Sequence, residues 1–168
     1  MTARVTFEVL GVPKPQGSKS AFRARDGRIM VKESNPLGHA QWRNAVSESA
    51  IRLADEHGVM VGPIRLDVVY RFPMPASRSR RDRLVGEVWK TTAPDRDKLD
   101  RCVCDALEAA GLIGNDALVC AGESIKVEVT GWTGASITLT ELAEPKPRGV
   151  MNSEHPEALM LGLDEATA

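Results

Sequence analysis

What the 168-residue chain lacks bounds it before any chemistry is read from it. No stretch approaches 18 consecutive apolar residues, which excludes a helix that spans a membrane. The opening MTARVTFEVL has no apolar signal-peptide region, so a soluble chain that is not exported is expected. There are only three cysteines, an odd number, which suits a reducing compartment rather than a disulfide framework. Cys102 and Cys104 lack zinc-ligand spacing and would point apart on a helix, so all three thiols read as small core or surface residues. His39 and His57 have no partners at metal-ligand spacing. No internal repeat is present, and the length fits one domain with a core of its own.

A net charge excess is missing too, since the total is −1, but the halves differ. Residues 1–90 hold 16 Lys/Arg against 9 Asp/Glu, and residues 91–168 hold 6 against 14. The first half therefore offers the surface that would face phosphates, and the second carries the acidic groups. Such asymmetry suits a nuclease without being specific to one.

Periodicity places the elements. Residues Thr6–Gly11 and Ile64–Phe72 alternate as strands, the second suited to the centre of a sheet. Ile29–Val31 reads as a short strand. Pro36–His57 reads as a helix with Leu37, Trp42, Ala45, Val46, Ser49, Ala50 and Leu53 inward, where an aromatic among aliphatics is more often core than a base-stacking ring. Leu118–Thr130 and Ala135–Leu142 read as strands joined by a hairpin at Gly131–Gly134. Between strand and helix runs Val12-Pro13-Lys14-Pro15-Gln16-Gly17-Ser18-Lys19, which is either an ordinary surface loop or one whose Gly17 and Ser18 amides and lysines meet phosphates. Residues 73–88 carry Arg78, Arg80, Arg81 and Arg83 among prolines and serines. They read as a flexible basic loop, either a solvated linker or an arm that orders on DNA.

The richest stretch is Ala93–Val119, APDRDKLDRCVCDALEAAGLIGNDALV. Pro94 disfavours helix just before it and Asp95 is a good N-cap. Leu99, Val103, Ala106, Leu107 and Ala110 recur at helical spacing, and Gly111 stands where a left-handed residue would end the helix. Asp97, Arg101, Asp105 and Glu108 line the opposite face. Acids at a helix start often do no more than cap it, and an acid/base ladder is usually a solvated face. The chemical alternative is that Asp95 and Asp97, followed by Asn115-Asp116, hold a hard cation such as Mg²⁺ that orients water against a phosphodiester. Closure of that set within one chain is tight, because the helix carries Asp97 away from Asp116. A shorter helix would relieve this, as would Asp116 serving a second subunit; closure within one chain is the expectation.

In this register the chain resembles the RusA-type Holliday junction resolvases, whose signature runs close to P-D-x-D-N-x-x-K, then D-A-L, then a turn with D-D. Pro94, Asp95, Asp97, Asp105-Ala106-Leu107, Gly111 and Asp116 match without a gap. The chain departs from it at Lys98 for Asn, Arg101 for Lys and Asn115 for the first Asp of the pair. The resemblance implies that Asp95, Asp97 and Asp116 are catalytic and bind Mg²⁺ or Mn²⁺, with Arg101 supplying the cation; Arg for Lys bears on rate rather than on reaction type. It supports Lys19 and, more weakly, Lys126 as phosphate contacts, beside Lys14, Lys98, Arg78, Arg80 and Arg81 as further DNA-binding candidates. It also implies a homodimer, branched DNA as partner, no membrane, and the cytoplasm of a bacterial or phage-infected cell.

The fold expected is α+β, a single RusA-like domain over residues 1–142. A mixed, mainly antiparallel sheet of four or five strands packs against helices Pro36–His57 and Asp95–Ala110. Residues 143–168 form an acidic, Pro-containing tail without a core face. The function expected is Mg²⁺-dependent hydrolysis of four-way junctions. Its rivals are a catalytically weak or inactive DNA-binding relative and a metal nuclease acting on other branched DNA.

Overall fold

A computed structural model describes residues 3–16, 19–23, 25–33 and 36–143. The tail expected over 143–168 thus lies, but for its first residue, outside the described residues. The elements run β1 (Arg4–Leu10), β2 (Lys19–Arg23), β3 (Ile29–Glu33), α1 (Pro36–His57), β4 (Ile64–Pro73), α2 (Arg80–Val85), β5 (Glu87–Trp89), α3 (Arg96–Ala109), a 3₁₀ turn (Asp116–Leu118), β6 (Val119–Val129) and β7 (Gly134–Glu141).

One mixed sheet has the order β1-β7-β4-β6-β5, and β2 pairs with β3 as a separate ribbon. Only the β4–β6 pair is parallel. The α+β architecture, with two principal helices, is therefore as read from the pattern. β4 occupies the centre because its alternation is strict: Ile64, Leu66, Val68, Tyr70 and Phe72 are buried while the residues between them are not. They meet Trp42, Val46 and Ala50 of α1 and Leu99, Val103, Ala106 and Leu107 of α3 in one core. Each large side chain removed from water there contributes roughly 1.5–3 kcal/mol. The other face keeps polar pairs such as Arg71 with Ser136, as a one-sided sheet does.

Two expectations are corrected. The 131–134 segment is not a hairpin, because β6 and β7 lie on opposite sides of β4 and the chain passes over the end of that strand. A four-residue spacing cannot reveal a third strand arriving between the two. Gly134 serves this crossing: its φ is +153°, and a side chain there would strike the Val9 carbonyl of β1. Residues 73–88, expected as a flexible loop, include α2 and the start of β5. Ser79 caps α2 by accepting from the Asp82 N–H, and Gly86 ends it in the left-handed region.

Candidate functional site

The site is built at the start of α3. Lys90 pairs its backbone N–H with the Lys126 carbonyl of β6, and the Lys126 Nζ donates to the Thr92 and Pro94 carbonyls at 3.0 and 2.6 Å. One lysine thus holds the turn that precedes the acids. Asp95 is the N-cap residue, with extended backbone angles, yet its carboxylate caps nothing. It turns outward and accepts from Lys98 Nζ at 2.7 Å, and that contact holds the carboxyl below the usual carboxylate range. Asp97 is exposed in the first helical turn. Both acids stand at the positive end of α3.

The face expected from spacing is present. Arg101 is exposed, and Asp105 accepts from Gln16 Nε2 at 2.6 Å. The Gln16 N–H also donates to the Lys98 carbonyl at 3.0 Å, so Gln16 is held against α3, with half-buried Lys14 two residues before it. This anchoring role of Gln16 was not foreseen; its one signal in the sequence was its place in the PKPQGSK segment. Gly17 and Ser18 are outside the described residues, as is the side chain of Lys19.

Asp116 stands elsewhere. It opens the 3₁₀ turn, and its N–H donates to Glu108 Oε2 at 3.3 Å, in the last turn of α3. Glu108 is eleven residues beyond Asp97, about 16 Å along the helix. Among the described residues no three His, Cys, Asp or Glu side chains are grouped to hold a metal. Closure within a single chain, the expectation above, is not seen. The reason is that the segment after α3 does not run back along the helix. Leu112 and Ile113 are buried, and backbone bonds Met60 N–H to Leu112 O and Gly114 N–H to Met60 O tie the return to the 58–62 loop. Asn115 is explained locally, since its side chain accepts from the Ala117 N–H and caps the turn.

The remaining cations divide into two groups. Arg78 donates to Glu128 Oε2 at 2.7 Å and to the Trp89 carbonyl at 3.2 Å. Glu128 is buried and also meets Lys90 Nζ at 3.5 Å, an arrangement no local pattern announces. Arg78 and Lys126 are thus structural anchors first. Arg80 and Arg81 are exposed on α2, close in sequence to exposed Leu84, Val85 and Trp89. On the other side of α3, Asp100 accepts from the buried Tyr70 hydroxyl at 2.9 Å, which was also not foreseen. The thiols are free; burial pushes Cys102 up to about 12 and Cys104 up to about 11, so neither is a nucleophile at neutral pH.

Asp95 and Asp97 fit a hard divalent cation, which takes one or two carboxylates and completes its shell with water and substrate phosphate. Both are exposed and two residues apart, and the Asp95 carboxylate makes no capping bond. A family model described as Endodeoxyribonuclease RusA matches residues 11–140, a span that holds the Gln16 loop, both acidic clusters and every strand from β2 to β6. No curated protein matches the chain.

Proposed function

The chain belongs to the RusA endodeoxyribonuclease family, and from that premise we propose that it hydrolyses phosphodiesters at four-way DNA junctions as a homodimer whose acidic sites each draw on both subunits. The observation that carries this reading is the outward-turned Asp95 and Asp97 at the N-terminus of α3, with Asp116 at the far end of the same helix. A pair of carboxylates in one copy and a third that cannot reach it call for a second copy. A four-way junction is itself two-fold symmetric and needs cuts in opposed strands, which a two-fold dimer supplies.

Asp95 and Asp97, with Asp116 of the partner subunit, would hold Mg²⁺ or Mn²⁺. Such an ion supplies a polarised water and offsets charge on the phosphorus oxygens. The chain's own share is positional. Lys126 fixes the turn before Asp95, Gln16 fixes the basic loop against α3, and Arg101 faces the non-bridging oxygens. The water oxygen bonds to phosphorus as the bond to the leaving deoxyribose oxygen breaks; the water gives one proton to solvent and the leaving oxygen takes one from it. Exposed Arg80 and Arg81, with Lys14, would meet backbone phosphates, contacts that position the junction without reading its sequence.

Subunit mixing tests this. Asp95→Asn and Asp116→Asn variants are each inactive on a four-way junction in Mg²⁺. After mixing, half the dimers are mixed and each regains one intact site, so nicking returns to about a quarter of the wild-type rate. If mixing restores nothing, the shared site is wrong.

A second reading rests on Lys98. Its ammonium sits 2.7 Å from Asp95, an internal cation where a divalent ion would bind, as in a catalytically weak junction binder. Exposed pairs of this kind are worth little, so a metal displaces the lysine readily. Wild-type protein that binds junctions but leaves them uncut in Mg²⁺ or Mn²⁺ would favour this second reading. Preferential cleavage of flaps or other branches would redirect the substrate alone.

A further inference from the structure

The face of the sheet away from α1 and α3 presents two tryptophans that the nuclease reading leaves unused. Trp42 is core, but Trp89 is 63% exposed and Trp132 is 38% exposed. Register sets Trp89 on one level with Arg71. Arg71 of β4 pairs with Gly134 of β7 on one side and with Val127 of β6 on the other, and Val127 pairs with Trp89 of β5. Residues paired in this way point to the same face. Arg71 shows which face it is, since it alternates with buried Tyr70 and Phe72 and donates to Ser136 at 2.7 Å. Trp89 therefore stands two strands from Arg71 on the outer face, about 10 Å away at the backbone.

Trp132 reaches the same place from the crossing before β7. The Arg71 guanidinium carbon lies 4.5 Å from its ring centroid, a cation against one ring face. One end of an otherwise polar face thus carries a ring, a guanidinium and a second ring. The surroundings of Trp89 are basic. Residues 78–89 hold Arg78, Arg80, Arg81 and Arg83 against Asp82 and Glu87, α2 packs beside β5, and Arg78 donates to the Trp89 carbonyl. Trp89 also adjoins the acidic turn. The next residue, Lys90, is bonded to Lys126, whose Nζ holds the Pro94 carbonyl just before Asp95.

We propose that Trp89, Arg71 and Trp132 form a stacking platform for unpaired nucleobases of the DNA strand beside the cleaved bond. An exposed ring accepts the flat face of any base, and a duplex hides those faces in its own stack, so the platform takes only unpaired nucleotides. The arginines of α2 then meet phosphates of the same strand, and Arg71 keeps a positive charge between the rings. Unpaired bases have two sources, an opened branch point or a single-stranded tail. The proposal rests on the nuclease reading for the origin of this strand, while the platform itself binds single strands whether or not they are cut.

Titrating the full chain with oligo(dT) in the absence of metal tests it. Trp42 is buried, so quenching of tryptophan emission reports Trp89 and Trp132. Oligo(dT) should quench that emission and a blunt duplex of equal length should not. Followed by anisotropy of labelled oligo(dT), Trp89→Leu and Trp132→Leu should each weaken binding about fivefold or more, while Trp89→Phe and Trp132→Phe keep most of it. Emission that oligo(dT) leaves unchanged, binding that survives both Leu substitutions, or Phe variants no better than Leu would each overturn the platform and leave junction cleavage standing. Quenching by oligo(dT) in a chain that cuts no branched DNA in Mg²⁺ would keep the platform and remove the nuclease reading. Comparing a four-way junction with a tailed duplex assigns the source, because the Trp89→Leu loss falls on the substrate whose unpaired bases are held.

Discussion

The two ends of α3 carry acids in opposite electrostatic settings. At the N-terminus, Asp95 and Asp97 meet the positive end of the helix dipole, and Lys98 and Lys126 stand nearby. At the C-terminus, Glu108 and Asp116 share the negative end, where the Asp116 N–H donates to Glu108 Oε2. The first end stabilises its charges within one chain; the second leaves two like charges where the dipole opposes them. This difference is the physical case for reading Asp116 as a residue offered to another subunit.

The largest expected effect separates the ends by activity. Asp97→Asn should lower junction cleavage by on the order of 10²- to 10³-fold or more while junction binding, followed by gel shift, stays within about twofold. Glu108→Gln at the other end should leave cleavage near wild type. Near-normal cutting by Asp97→Asn would sink the site assignment.

Much of α3 was legible because its limits are written locally. Pro94 and Asp95 start it, Gly111 with φ +71° ends it, and the apolar spacing named its buried side. What fixes the site was illegible for the opposite reason. Gln16 meets Asp105 across 89 residues, Tyr70 meets Asp100 across 30, and Arg78 meets Glu128 across 50. A cation's commitment to a distant partner leaves no trace in spacing, which is why Arg78 and Lys126 read like Arg80 and Arg81. The β6–β7 hairpin failed likewise, since β4 enters between them from 50 residues upstream. The capped α2 was readable in part from Ser79 and Gly86, but its six residues are too few to show periodicity.

The next effect is on stability, and it probes how the acidic turn is held. Glu128 is buried against Arg78 and Lys90, and Lys90 also donates to Thr92 in that turn. Glu128→Ala leaves two cations without their partner, at a cost of about 3 kcal/mol, the lower end for a buried pair because Arg78 is 30% exposed. Urea unfolding would measure it. A loss under about 1 kcal/mol would mean that solvent already satisfies these groups.

Alkali should reveal the packed side of α3. Cys102 is raised from 9.0 to about 12 and Cys104 to about 11, and burial beside Asp100 raises Tyr70 well above its ordinary value. In each case the folded chain keeps a proton that the unfolded chain releases. Their contribution is therefore whole below about pH 9 and is lost as pH rises toward 11–12, at up to about 1.4 kcal/mol per pH unit for each group. Cys102→Ala should flatten this alkaline limb even if it lowers stability at neutral pH. An equally steep fall in that variant would shift the cause to Cys104 and Tyr70.

The smallest effect returns to the ends themselves. Removing a charge from the C-terminal end should help the isolated fold, so Glu108→Gln should gain about 0.3–1 kcal/mol, because an amide oxygen can still accept from Asp116 while the unfavourable charge is gone. Asp97→Asn should lose a similar amount, since it deletes a favourable charge from the first turn. The sign difference matters more than either size. It should shrink in high salt, which screens exposed charges beyond the first few ångströms. It should also shrink as the protein dimerises, if the partner subunit brings Lys126 and its neighbours to the Glu108–Asp116 end. A gain from Glu108→Gln that persists unchanged in the dimer would show that no cation from the partner reaches this end of α3.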